Sequence, residues 1–258
     1  FDFAVKSFDL AERFQTPVMM LSDLDIGMND WVVPRLKWDD NYRPDRGRVL
    51  TLEQLEKMPK FQRYSDEDAN HVTSRTLPGV HSKGAYFTRG SGHNKFGNYT
   101  ETPDEYQAVM DRLAQKHRSA AEFVPEPVIE RRDNAQFGVI SIGGCDPGVR
   151  EALDVLAARD IPADYLRIRG FPFHASVEAF IREHEFCYIV EQNRDAQLRA
   201  LLLLETDAPK ERLRSLLVYG GFPLSARRVV DHILNSNGEV KSAIDSQTDS
   251  ETSQSSTE

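Results

Sequence analysis

FCYIVEQNRDAQL, residues 186–198, is the stretch that indicates the fold class of this chain. Residues 186–190 have the length and the branched or aromatic character of a buried strand. Asn193 and Asp195 can cap the helix that follows, because short polar side chains accept hydrogen bonds from the free amides of a first turn. A polar turn at the carboxyl end of a strand is also where α/β sheets bind ligands or partners, so capping and binding both stay open for these side chains.

From residue 137 onward, apolar strand patterns alternate with amphipathic helix patterns. Such alternation implies right-handed crossovers and a mainly parallel sheet. We therefore predict an α/β fold, a mainly parallel sheet with flanking helices, over residues 136–235. The predicted strands lie at 137–144 (with a glycine turn), 163–168, 186–190 and 216–219, and the predicted helices at 147–158, 176–184, 196–204 and 224–234.

The turn after the first of these strands contains Gly143, Gly144 and Gly148 around Cys145 and Asp146. The strict spacing of a dinucleotide-binding loop is absent, and Asp146 would repel a pyrophosphate there. We predict a tight turn with Asp146 as the cap of the following helix. Cys145 at a helix start could be a nucleophile, but no histidine-and-acid arrangement in the sequence supports that role.

The first 30 residues have a different pattern. Residues 1–14 show apolar side chains at helical spacing with no cap before them, so we expect the chain to begin inside a helix and to be part of a longer polypeptide. PVMML, residues 17–21, predicts a buried strand, and SDLDIGMND follows it as a turn. Asp23 and Asp25 could ligate a hard cation or could simply form the turn; we assign no metal site.

Residues 31–135 lack a sheet pattern. Prolines punctuate a polar stretch with one short predicted helix at 52–58, and a long helix, capped by Thr102, is predicted from Pro103 to near residue 123. The proline and charge cluster at 125–133 is typical of a domain linker.

The loop RGSGHN, residues 89–94, combines a cation, two glycines, an imidazole and an amide. Glycines let backbone amides approach an anion closely, and Arg89 and His93 could neutralise a carboxylate or a phosphate. The spacing matches neither a P-loop nor a dinucleotide-binding fingerprint. A purely structural surface loop is the alternative.

The composition excludes several classes of protein. The formal net charge of −9 argues against general nucleic-acid binding, and no apolar run approaches the roughly 20 residues that span a bilayer. Two cysteines, Cys145 and Cys187, make no metal set by themselves, and a reducing, cytoplasmic compartment is expected. Residues 237–258 carry five acids and one lysine, so residues 236–258 are expected to form a disordered acidic tail.

Four local motifs in this order resemble a known family. They are the first helix with SDLDIGMN, RGSGHNKFG with the long helix, the glycine-turn entry to the regular domain, and VEQNRDAQL. Together they resemble the C-terminal half of the α subunit of 2-oxoacid:ferredoxin oxidoreductases, particularly the 2-oxoglutarate type. The resemblance implies the end of a thiamine pyrimidine-type α/β domain at 1–30, an irregular connector with the long helix at 31–135, and a transketolase C-terminal-like domain at 136–235.

The resemblance implies the interconversion of 2-oxoglutarate and coenzyme A with succinyl-CoA and CO2, with electrons exchanged with ferredoxin. Thiamine diphosphate, Mg2+ and a 4Fe–4S cluster would serve the assembled enzyme, mostly bound outside this chain. The implied protein partners are a β subunit, the upstream part of the α subunit and ferredoxin, in a dimer of αβ units, with no membrane and no nucleic acid. Another 2-oxoacid, pyruvate or a branched-chain one, remains an alternative substrate, and a non-catalytic α/β interaction module is the alternative from another class.

The family's YPITPSS-like segment and the glutamate that activates thiamine do not occur here, so catalytic residues are expected upstream or on the partner subunit. The remaining candidates form two groups. Substrate-binding or interface candidates are Arg89, Ser91, His93 and Asn94, and interface candidates are Glu191, Gln192 and Asn193.

Overall fold

The structure, a computed structural model, describes residues 1–236. The predicted tail lies outside the described residues, apart from Ser236. The chain divides into two units that are each discontinuous in sequence. Unit 1 consists of residues 1–21 and 30–125, and unit 2 of residues 22–29 and the chain from residue 126 onward.

Unit 2 contains a five-stranded sheet in the order β1-β3-β2-β4-β5. Neighbouring strands among β2 to β5 are parallel, whereas β1 pairs antiparallel with β3. This confirms the predicted fold class. The bounds are β1 Val128–Glu130, β2 Gly138–Ile142, β3 Asp164–Ile168, β4 Cys187–Glu191 and β5 Leu213–Leu217.

Helices cover both faces of this sheet. Successive side chains of a strand point to opposite faces, so the strands between the helices carry apolar side chains on both sides. Val139 packs in one cluster with the helices at 146–157 and 226–236, and the next residue, Ile140, packs in the other cluster with the helices at 175–183 and 197–205. The helices are α5 Asp146–Ala157, α6 Ala175–Glu183, α7 Gln197–Glu205 and α8, residues 226–236.

Strand β1 lies in the stretch whose prolines and charges predict a linker. Its three residues are only half-buried. Their sequence is also too short to form the apolar run by which the central strands are recognised. β1 adds an antiparallel edge to the parallel sheet, with Ile129 opposite Leu166.

Unit 1 is built from helices and irregular segments around two small apolar clusters. Leu10 and Phe14 of α1 pack with Val72 in one cluster, and Leu55 of α3 packs with Phe61 in the other. Its helices are α1 Asp2–Phe14, α3 Leu52–Lys57 and α4 Pro103–Ser119, while the single-turn helix α2 Leu24–Gly27 belongs to unit 2.

Two local predictions for this part of the chain are wrong. Residues 17–21 form no strand and are exposed, because a strand needs a neighbour for its backbone hydrogen bonds and none of the described residues pairs with this segment. Thr102 precedes α4, but its side chain makes no capping hydrogen bond, although Pro103 occupies the first turn as expected. No described helix is long and apolar enough to cross a membrane.

A buried ion cluster fixes the amino end of the sheet in unit 2. Asp164, at the start of β3, accepts hydrogen bonds from Arg131 Nη1 at 2.7 Å, Arg132 N at 2.8 Å and His184 Nε2 at 3.2 Å. Burial alone would raise the pKa of Asp164, but the hydrogen bonds from Arg131 and the Arg132 amide outweigh it and hold that pKa below its usual value.

Asp164→Asn keeps the shape of the side chain and removes its charge. We expect the free energy of unfolding at pH 7 to fall by about 1.5–3 kcal/mol, the range for a hydrogen bond to a charged group. Since the folded-state pKa lies below the unfolded value of about 3.9, the wild-type advantage is complete above that pH and is lost as the pH falls through the folded pKa. Urea unfolding across that range measures the difference.

Asp154→Asn is the matched control. Asp154 also pairs with an arginine, Arg132, at 2.6 Å, but its side chain is 74% exposed. Such a pair contributes about 0–1 kcal/mol. Equal losses in the two variants would contradict the structural role of Asp164.

Candidate functional site

The candidate site in unit 2 lies at the carboxyl ends of β2 and β4. β2 is flanked by β3 on one side and β4 on the other, so the chain leaves β2 towards one edge of the sheet and later returns to the other. The loops that follow β2 and β4 therefore diverge and leave a crevice, which is where open α/β sheets bind their ligands.

Residues 22–29 of the same unit occupy this crevice. Asp23 Oδ2 accepts a hydrogen bond from Gly144 N at 2.5 Å, while Asp23 Oδ1 accepts from Ile26 N at 2.9 Å and caps α2. Gly143 has φ +63, and a Cβ at Gly144 would lie 2.7 Å from Asp23 Oδ1. The predicted tight turn is confirmed, and the glycines also make room for a carboxylate.

Gln192 joins the two loops to the inserted segment. Its Nε2 donates to Asp25 Oδ2 at 2.9 Å, and its Oε1 accepts from Cys145 Sγ at 3.7 Å. Asp25 thus has an amide partner from the loop after β4, and Asp23 has one from the loop after β2. One sequence cannot show this pairing, because the segment and the loops are more than 100 residues apart.

Cys145 is inert in this setting. Its side chain is 2% exposed, and burial together with the nearby carboxylates of Asp23, Asp25 and Glu191 raises its pKa to about 12. A catalytic thiol needs the opposite surroundings, namely positive charge and access to solvent. The nucleophile alternative therefore finds no support.

Glu191, one of the predicted interface residues, has an intramolecular role in the structure. The residue is 2% exposed, and its carboxylate accepts hydrogen bonds from Leu198 N at 2.7 Å, Arg199 N at 3.2 Å and Asn193 Nδ2 at 2.6 Å. It caps α7 from the end of β4. The sequence signal for this role is an acidic residue between a strand and a helix. Glu191 lies seven residues before Leu198, so local spacing does not identify it as a cap.

Asn193 does cap, as predicted, because its Oδ1 accepts from Gln197 N at 3.1 Å. Asp195 does not: its carboxylate pairs with Arg194 at 2.7 Å. Gln192 and Asn193 are both half-buried.

Asp146 is not the cap of α5. It is the first residue of the helix, preceded by Cys145. Its carboxylate accepts from Tyr165 OH at 2.9 Å and from Arg150 Nε at 3.0 Å, and Arg167 lies 3.4 Å away. The carboxylate therefore ties α5 to β3 instead of receiving the first amides of its own helix.

The loop RGSGHN belongs to unit 1 and is a structured turn. Asn94 Oδ1 accepts from Phe96 N at 3.0 Å and Asn98 N at 3.3 Å, and the His93 ring stacks on Tyr64 with centroids 3.9 Å apart. Asn94 thus has a structural role. Arg89 is exposed with its guanidinium 5.4 Å from the centroid of the Tyr99 ring.

Ser91, between Arg89 and His93, is exposed as well. Among residues 1–236, no group of three or more histidine, cysteine, aspartate or glutamate side chains could hold a metal ion.

No protein-family profile matches the chain. It is 26% identical over 227 residues to 2-oxoacid:ferredoxin oxidoreductase 2, subunit alpha, of Aeropyrum pernix, in an alignment that covers 86% of this chain and 34% of that protein. It is 25% identical over 205 residues to the 2-oxoglutarate synthase subunit KorA of Methanothermobacter thermautotrophicus, covering 75% of this chain and 50% of that subunit. The chain therefore spans about a third to a half of the length of these relatives.

A solved structure shares the fold. The 2-oxoglutarate:ferredoxin oxidoreductase from Magnetococcus marinus matches with a TM-score of 0.74 and 21% identity, over 88% of this chain and 38% of that chain. These findings confirm the resemblance: over most of its length the chain is similar to α subunits of 2-oxoacid:ferredoxin oxidoreductases. Those relatives are subunits of an oxidoreductase.

The double variant Asp23→Ala, Asp25→Ala tests the crevice through Cys145. Removing both carboxylates takes away two charges that oppose the thiolate and two contacts that hold the segment in place. We expect iodoacetamide to label native Cys145 at least about tenfold faster, equivalent to a thiol pKa about one unit lower. Cys187, inside β4 and also buried, is the internal control. Unchanged labelling of Cys145 would contradict the arrangement.

A second prediction separates the two caps of α7. Glu191→Ala leaves two backbone amides and a buried pocket without their acceptor, and we expect the free energy of unfolding to fall by about 1.5–3 kcal/mol. Asn193→Ala removes an ordinary cap and should cost about 1 kcal/mol. Urea unfolding measures both, with the exposed Asp195→Ala as the control near zero. A Glu191→Ala variant as stable as that control would refute the capping role.

Proposed function

We propose that this chain is the C-terminal half of the α subunit of a 2-oxoglutarate:ferredoxin oxidoreductase. The reaction would interconvert 2-oxoglutarate and coenzyme A with succinyl-CoA and CO2, with ferredoxin as the electron partner. The observation that carries the proposal is the similarity across both units at once, since the alignment with the Aeropyrum pernix α subunit covers 86% of the chain. The name of the KorA relative favours 2-oxoglutarate as the substrate.

The described residues offer no ligand set for the iron–sulfur cluster or the Mg2+ of such an enzyme. Cys145 and Cys187 are both buried, with pKa values raised to about 12 by burial, so neither is a ready ligand of an iron–sulfur cluster. Asp23 accepts a hydrogen bond from the Gly144 amide and Asp25 one from the Gln192 side chain. We therefore propose that thiamine diphosphate, Mg2+ and the cluster bind to the upstream part of the α subunit or to a β subunit.

The role of this chain in the reaction would then be to assemble with a partner subunit and to position side chains for it and for the substrate. Unit 2 would present the half-exposed Gln192 and Asn193 to a partner subunit, while Glu191 keeps α7 in register behind them. In unit 1, Arg89, Ser91 and His93 would face substrate or the β subunit, held by the turn at Asn94. These roles follow from exposure and from the rigid backbone that presents each side chain.

A non-catalytic interaction module is the second candidate. It is favoured by one observation, that the described residues contain no group of three or more histidine, cysteine, aspartate or glutamate side chains that could hold a metal ion. An activity assay on assembled and unassembled protein separates the two candidates.

The chain alone should not reduce methyl viologen with 2-oxoglutarate and coenzyme A, because the proposed places of thiamine diphosphate, Mg2+ and the cluster lie outside it. Co-expression of the complete α reading frame and an adjacent β reading frame should give 2-oxoglutarate-dependent reduction. Pyruvate in place of 2-oxoglutarate is the substrate control. Absence of turnover with any 2-oxoacid in a purified, cofactor-loaded assembly would favour the interaction module, and turnover by the isolated chain would refute the proposed division of labour.

A further inference from the structure

Unit 1 contains a basic cleft of about 600 Å³. Three cationic side chains line it, Lys60, Lys83 and Arg89, and no acidic residue does. The chain as a whole has a formal net charge of −9, so a cleft with three cations and no acid runs against the average of the protein. A concentration of like charge in a concave site raises the local concentration of ligands with the opposite charge.

Two of these cations have no carboxylate partner. Among the described residues, no Asp or Glu oxygen lies within 4.0 Å of Lys60 or Arg89. Lys60 Nζ lies 4.2 Å from the centroid of the Phe96 ring and the Arg89 guanidinium 5.4 Å from that of Tyr99. The rings orient the cations but leave their N–H groups available to an anion.

Lys83 has a different role. Its Nζ donates to the carbonyl oxygens of Glu56 at 2.8 Å and Met58 at 3.0 Å, and so it satisfies the carboxyl end of α3. Its charge is thereby fixed at one wall of the cleft.

Exposed aromatic rings form the other part of the lining. Phe87 is 80% exposed, Tyr99 50% and Tyr86 44%. Exposed rings beside unpaired cations are the combination with which proteins hold a flat base and its phosphates. The size lies within the range of small-molecule sites, about 300–1,000 Å³.

The backbone on one side of this cleft is tightly packed. Gly97 has φ +86, and a Cβ there would lie 3.1 Å from the carbonyl oxygen of Phe87. Tyr64 N donates to Lys95 O at 2.9 Å, which anchors the turn against a second segment of unit 1. The turn at residues 95–97, on one side of the cleft, is therefore held against its neighbours.

We propose that this cleft binds a phosphate ester with an aromatic ring, the chemistry of a nucleotide. The phosphates would lie against Lys60 and Arg89, and the base would stack on Phe87 and Tyr99. This inference shares Arg89 with the proposed function, but its evidence is the cleft alone and it needs no turnover.

Calorimetric titration of the full 258-residue chain with ADP tests the proposal. ADP should bind, whereas adenosine and inorganic pyrophosphate should each bind at least about tenfold more weakly, since each lacks one half of the contacts. The double variant Lys60→Ala, Arg89→Ala should weaken ADP binding by at least about tenfold. Phe87→Ala should weaken ADP and leave pyrophosphate unchanged. All these side chains are at the surface of the cleft, and thermal melting confirms that each variant is folded.

Lys57→Ala is the matched control, because Lys57 pairs with Glu53 on the exposed side of α3 and should not change binding. Failure of ADP to bind at millimolar concentration would overturn the proposal and would leave an acidic peptide of a partner protein as the ligand of this basic surface. Equal affinity for pyrophosphate and ADP would reduce the cleft to a simple anion site and would also overturn it. Either failure leaves the enzyme assignment untouched, and a failed turnover assay leaves the cleft untouched.

Discussion

The contact between Asp23 and the Gly143–Gly144 turn is the constraint on which unit 2 depends. The turn needs glycine because a Cβ would meet the carboxylate, and the carboxylate accepts a hydrogen bond from the Gly144 amide in the turn just before α5. The same segment supplies Asp25 as the acceptor for Gln192 Nε2, and Gln192 Oε1 in turn accepts from Cys145 Sγ. One hydrogen-bonded arrangement thus contains four features that look independent in the sequence: the segment with Asp23 and Asp25, the Gly143–Gly144 turn, Gln192 and Cys145.

This arrangement also explains why the crevice has no signature of nucleotide binding. The position at the start of a helix that would attract a phosphate is already occupied by a carboxylate of the same unit. The ligand chemistry of the chain lies instead in unit 1, where cations without acids line the cleft.

The regular part of the fold could be predicted from the sequence because its periodicity is strong. Strands such as β4 are short apolar runs between turn residues, and α5 repeats its apolar residues at helical spacing. β1 could not be predicted, since it is half-buried and has no such run. Residues 17–21 illustrate the reverse error, because an apolar composition predicts a strand but cannot supply the neighbour that a strand requires.

The candidate sites were predictable only in part, and the reason is again physical. Asn193 is close in sequence to the amides that it caps, so its role follows from local spacing. Glu191 acts through the fold: a carboxylate at a strand end reaches a helix only after the chain has turned back. The pairing of Asp25 with Gln192 depends on the whole domain, and no single segment contains that information.

The entry of the chain into unit 2 at two separate places has a practical consequence for anyone who divides the gene. A fragment that begins at residue 126 would carry every strand of the sheet but would lack residues 22–29, and so it would expose the crevice to water. Residues 30–125, which belong to unit 1 together with residues 1–21, separate the two pieces of unit 2 in the sequence. A minimal version of unit 2 would have to carry both pieces, residues 22–29 and the chain from residue 126, joined by a linker.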